Sequence, residues 1–168
     1  MLWQYILTIA SAVFFFGFVY LGKRKFGLLD CYSAYGPKWG EGKAVNLWTV
    51  VTVGTAVLLV PVIVEVGNIS PNWQWAGFLA PTFICFVGMT PDYQKGGTPF
   101  WIHQIGAWGG VLFVLLFVLF GFPKLFWFVL VYCILAGVAT AYFGKWSWML
   151  WFEMATYASI FTIVLAAI

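Results

Sequence analysis

Residues 47–66 read LWTVVTVGTAVLLVPVIVEV, twenty positions whose only charge is Glu65, one place from the end. A helix of that length rises about 30 Å, the thickness of a bilayer's hydrocarbon core. Five more stretches of this character flank it: Trp3 to Leu21, Trp73 to Thr90, Phe100 to Phe120, Leu125 to Phe143 and Trp146 to Ile168. The breaks carry turn chemistry, as in Gly67-Asn68-Ile69-Ser70-Pro71, Pro91-Asp92 through Gly96-Gly97, Gly121-Phe122-Pro123-Lys124 and Gly144-Lys145. The last break is the shortest, and the division between the fifth and sixth segments rests on it. Pro61 and Pro81 mark expected bends.

Composition agrees with a membrane solvent. Hydrophobic residues make up 64% of the 168 and charged residues 8%, where a soluble domain is near half apolar and a quarter charged. With 22% aromatic residues the chain does not read as disordered. The expected fold is an all-α bundle of about six transmembrane helices, one domain over residues 1–168. Tryptophans 3, 39, 48, 73, 75, 101, 127, 146 and 148 stand near segment ends, where indole rings favour the headgroup layer. The first segment lacks the basic start of a secretory signal and is long enough to cross, so it is expected to persist as a helix.

The net charge of +3 is unevenly placed. Lys23, Arg24, Lys25, Lys38 and Lys43 share the first connection, Lys95 lies in the third and Lys145 in the fifth, while the even connections hold only Lys124. Basic residues collect on the cytoplasmic side, so six crossings put both termini outside. The stretch 22–44 then forms a basic cytoplasmic loop against anionic lipid; the cluster flanks apolar helices and does not point to nucleic acid. The expected location is a bacterial inner membrane.

Few residues can carry chemistry. Ionisable groups at membrane depth are functional candidates by default. Glu153 stands about 10 Å into the sixth segment, with Thr156 and Tyr157 on the same helical face at i+3 and i+4. It reads either as a proton, cation or headgroup site or as a carboxyl that ties one helix to another. His103, the one histidine, opens the fourth segment, followed on its face by Gly106, Ala107 and Gly110. Gly106-x-x-x-Gly110 is a close-packing pattern. Asp92, after Pro91, falls on the same side as His103 and Glu153, so these three with Tyr157 form the candidate ligand-binding set. The alternative for Asp92 is a turn former. Thr49, Thr52 and Thr55 recur every three residues on the second segment and read as a polar path or as hydroxyls bonded to their own helix.

One histidine provides neither bis-histidine haem ligation nor a three-histidine zinc site, and Cys31, Cys85 and Cys133 lack metal-ligand spacing. No cofactor or metal is expected, and the cysteines read as inert reduced thiols. Hydrolase, metalloprotease, phosphate-loop and dinucleotide motifs do not occur, so no catalytic residue is assigned.

Leu29-Asp30-Cys31-Tyr32 after a basic helix end, then Phe78-Leu79-Ala80, Phe86-Val87-Gly88-Met89-Thr90-Pro91 and Ile102-His103, occur here in that order. This arrangement resembles a group of small polytopic membrane proteins of gut Bacteroidetes and their phages, over about the first two-thirds of the chain. The resemblance directs interest to Pro91 and His103 and implies no activity. Three functions follow as expectations. The first is binding or transport of a small apolar or amphipathic ligand or an ion. The second is an accessory role through helix assembly with a partner or second copy, using Gly106/Gly110 and Ala136/Thr140. The third is a lipid enzyme. Membrane lipids are the expected partners throughout.

Overall fold

The computed structural model describes residues 2–40, 46–144 and 147–168. Those residues form an all-α bundle without strands: α1 (Leu2–Phe26), the short α2 (Tyr35–Gly40), α3 (Leu47–Gly67), α4 (Gln74–Gly88), α5 (Gly97–Leu116), α6 (Phe126–Phe143) and α7 (Trp148–Ala167). Five helical stretches are long and apolar enough to cross a bilayer, in α1, α3, α5, α6 and α7. The protein is membrane-integral.

The third apolar segment departs from expectation. It is helical as α4 over 15 residues, a rise of about 22 Å, behind a 3₁₀ turn at Pro71–Trp73. Its far end is set by Thr90, whose hydroxyl turns back onto the carbonyls of Phe86 and Val87, and by Pro91. Shortness is tolerated because α4 is sandwiched between α3 and α5. The fifth and sixth segments are separate helices as expected, although Lys145 and Trp146 themselves lie outside the described residues.

Packing follows the order α5–α4–α3–α1–α7–α6, each helix against the next. The core is aromatic and aliphatic, with Phe15, Trp48, Tyr35, Phe117, Ile63 and Leu150 fully enclosed. Close approach between α4 and α5 depends on missing side chains. A Cβ at Gly106 would stand 2.8 Å from the Phe83 carbonyl oxygen, and one at Gly109 would run into the Phe83 ring. The small face around Gly106 and Gly110 is thus consumed inside the bundle, and so is Ala136 (4% exposed) on α6.

The first connection differs most from the expected basic surface loop. Gly22 to Phe26 continue α1, which ends where Gly27 takes φ +81° and donates to the Lys23 carbonyl at 2.9 Å. Lys23, Arg24 and Lys25 thereby sit at the negative end of the helix dipole. The chain then turns inward: every residue from Cys31 to Gly36 is buried. Two glycines permit this. The Tyr35 ring lies against Gly22, where a Cβ would meet it at 2.7 Å, and the Trp48 ring lies 3.0 Å from a Cβ built on Gly36. Residues 41–45, including Lys43, lie outside the described residues.

Candidate functional site

The inward segment is held by polar groups that reach it from several helices. Asp30 fastens the entry: its side chain accepts the Cys31 N–H at 3.1 Å, and its backbone carbonyl accepts the Leu150 N–H at 2.9 Å. Leu150 is in the first turn of α7, whose amides have no partner within their own helix. Glu153, one turn on, returns the contact by accepting the Tyr32 N–H on Oε2 at 2.6 Å. That amide opens a 3₁₀ turn, Tyr32–Ala34, so the carboxyl caps the segment while the segment caps α7.

Tyr32 is the hub. Its phenol meets the Thr52 hydroxyl of α3 at 2.7 Å, and its ring packs 4.8 Å from Phe15 and 6.0 Å from Trp48. Tyr157 stacks on the other part of this cluster, 3.7 Å from the Phe15 ring and 6.3 Å from Tyr32. Glu153 and Tyr157 therefore flank Tyr32 from α7. Thr156, on the same face by spacing, turns its hydroxyl onto Phe152 and takes no part.

A second arm leads from the hub to His103. The Cys31 thiol lies 3.3 Å from the Ser33 hydroxyl, which donates to the Tyr93 phenol at 3.3 Å. The Tyr93 ring stacks on the His103 imidazole at 3.9 Å, and the Thr90 hydroxyl reaches His103 Nδ1 at 3.3 Å. Trp48 lies beyond His103 at 6.2 Å. His103 is 4% exposed and belongs to the same buried network as Glu153, by way of Tyr93, Ser33 and Cys31. Asp92 does not join them. Its side chain is 60% exposed and pairs with Lys95 at 3.2 Å on the surface.

Electrostatics make the inward segment a set of neutral hydrogen-bonding groups. Burial, reinforced by the charge of Glu153, pushes the Cys31 thiol up to about 11. Burial likewise pushes the Tyr93 phenol up to about 12, against the bond from Ser33, and raises the Tyr32 phenol despite its bond to Thr52. A thiol held protonated is a poor nucleophile and a poor metal ligand. Among the described residues no group of His, Cys, Asp and Glu is arranged to hold a metal. What the site offers is hydrogen bonding and one partly buried carboxyl.

Sequence reasoning singled out Glu153, Tyr157, His103 and Thr52 but gave no role to Tyr32, Ser33 or Tyr93, which connect them. The available signal was the run Cys-Tyr-Ser-Ala-Tyr at 31–35, with no charge and two aromatics between basic clusters. No family model, curated protein or solved structure matches the chain.

Proposed function

We propose that this is a bacterial inner-membrane protein that binds or transports a small amphipathic ligand or ion at Glu153, with Tyr157, Tyr32 and His103 shaping the site. One observation carries the reading. Glu153 Oε2 is engaged by the Tyr32 N–H, whereas Oε1 accepts no hydrogen bond among the described residues, and the residue is half-buried. A carboxyl placed at membrane depth only to fasten two elements would ordinarily use both oxygens. The free oxygen suits a ligand with a cationic or hydrogen-bond-donating head, and the surrounding aromatic rings suit an apolar body. Asp92, exposed and paired with Lys95, is set outside this site.

The orientation proposed has both termini outside and the first connection inside, with α4 returning the chain between α3 and α5. It is supported by the seven-to-one division of basic residues between odd and even connections. Binding of a lipophilic amine, read by quenching of tryptophan fluorescence in detergent, tests the ligand reading. Glu153→Gln should weaken binding about tenfold, the loss of one charge-assisted bond of roughly 1.4 kcal/mol. Superimposable curves for the two proteins would leave Glu153 a structural carboxyl.

An accessory role through helix assembly is the second reading, and α6 favours it. Of its described residues only Val129 and Ala136 are buried, and Trp127 and Tyr142 on it are 71% and 82% exposed. The surface for such assembly is this outer face, since the glycines of α5 are already used internally.

A further inference from the structure

α5 stands at one end of the packing order, with its glycine face against α4. Its opposite side carries large exposed side chains. All of those on α5 except Ile102 recur at alternating steps of four and three residues: Trp101, Ile105, Trp108, Leu112 and Leu115, each between 39% and 69% exposed. Steps that average 3.5 residues keep side chains on one seam when a helix winds left-handedly around a neighbour. The seam is about 21 Å long.

Lipid satisfies an apolar stripe, so the stripe by itself identifies no neighbour. Two further features do. Gln104 lies on the seam side about 10 Å into α5, half-buried and without a hydrogen-bond partner among the described residues. Acyl chains offer its amide none. Beside it, between the two tryptophans, opens a groove of about 460 Å³ lined by Phe100, Trp101, Gln104, Ile105 and Trp108. Residues at i, i+3, i+4 and i+7 are the four that frame the hole for a side-chain knob of a facing helix. Trp101, Gln104, Ile105 and Trp108 are that set, with an indole at each end.

We propose that the outer seam of α5 is a self-association surface, and that α5 of a second copy occupies the groove. Copies inserted the same way are related by a two-fold axis along the membrane normal, which sets each residue opposite its own counterpart at the same depth. An amide suits that symmetry because it both donates and accepts: each Gln104 gives an N–H to the carbonyl oxygen of the other. Ile105 and Trp108 of each copy enter the groove of the other, at a left-handed crossing of about 20°. An acyl chain would fill the groove but leave the amide unpaired. The interface uses no residue of the Glu153 site or of α6, so it goes beyond both readings of function and is tested without them.

Single cysteines, in a background lacking the native three, read the interface in phosphatidylethanolamine–phosphatidylglycerol vesicles. Ile105→Cys and Leu112→Cys should each give a disulfide-linked dimer with copper phenanthroline, because seam residues come within disulfide reach of their own counterparts. Val138→Cys, equally exposed but on α6, should stay monomeric. Energy transfer between copies labelled at Arg24→Cys then gives the affinity as lipid is added. Gln104→Leu should weaken association about tenfold, and Gln104→Asn, which keeps the amide, should retain most of it. Size-exclusion profiles identify a variant that fails to fold; Trp108→Ala, which removes one end of the hole and should also weaken association, then replaces it. Equal cross-linking at Ile105 and Val138 overturns the proposal, as does association that the folded variants leave unchanged. So does a monomeric wild type, including one that retains phospholipid in native mass spectra, which would place lipid in the groove.

Discussion

Glu153 and Tyr32 are 121 positions apart, and a 2.6 Å hydrogen bond from the Tyr32 amide to the Glu153 carboxyl joins them inside the bundle. The bond has a counterpart one turn away, where the Leu150 amide donates to the Asp30 carbonyl. Each element thus satisfies a first-turn amide of the other, and neither would be paired if the first connection stayed on the surface. This reciprocal clamp places Tyr32 against α3 and Cys31 toward His103.

Glu153→Gln should fold nearly as well as the wild type, because the amide oxygen still accepts from Tyr32. Glu153→Leu removes the acceptor and leaves a buried amide unpaired, at a cost of about 1–3 kcal/mol. Thermal unfolding in detergent checks the pair. Equal losses for both variants would show that the hydrogen bond is not what matters at this position.

Substitutions of glycine should divide by helix. Gly106→Leu should destabilise the protein by about 1–3 kcal/mol, because even its Cβ would stand 2.8 Å from the Phe83 carbonyl and backbone does not yield cheaply. Gly137→Ala on α6 meets no atom within 4 Å and should be neutral or stabilise by up to about 1 kcal/mol through helix propensity. Melting temperatures moving in the same direction would contradict the packing order.

The Cys31 thiol should be slow to alkylate. With its folded value near 11 against an ordinary 9.0, its thiolate fraction at pH 8 is about a hundredfold below that of the unfolded chain. The folded value is the raised one, so burial of the neutral thiol favours folding below about pH 9, and that contribution is lost as pH rises towards 11. Mass spectrometry of iodoacetamide-treated protein, native and denatured, measures the ratio. Comparable rates at pH 8 would place Cys31 in contact with solvent.

Tyr93 shields His103, with the two rings 3.9 Å apart at 12°. Tyr93→Ala should expose the imidazole and speed its modification by diethylpyrocarbonate at least fivefold, while costing about 1 kcal/mol from the lost stack. Tyr93→Phe keeps the ring and should protect His103 as the wild type does. Faster modification in Tyr93→Phe would mean that the bond from Ser33, not the stack, holds the lid.

Orientation can be read from single cysteines in a background lacking the native three. Arg24→Cys, exposed at the end of α1, should resist an impermeant maleimide in intact cells and react after lysis. Asn72→Cys, exposed between α3 and α4, should react in intact cells. The opposite pattern reverses the proposed topology.

Sequence alone determined that this chain is a membrane-embedded helical bundle and where most of its helices break, though α1 runs on past Gly22 to Phe26. Length, apolarity and turn residues act locally, and a 20-residue run without charge has no other stable solvent than lipid. Glu153 and His103 were legible for the same reason, since a polar group at membrane depth stands out from its neighbours. Periodicity could not tell what those residues touch. Whether residues 31–35 lie on the headgroups or fold between α1 and α3 depends on the close approaches at Gly22 and Gly36. Whether Ser11 bonds its own helix or another depends on packing, which sets the Thr55 backbone carbonyl of α3 against its hydroxyl. Asp92 shows the converse: near His103 in sequence, it is carried outward with Lys95, while distant Tyr32 is carried in. Helix formation is a property of a segment, but hydrogen-bond partners between helices are chosen by packing, which joins residues more than a hundred positions apart.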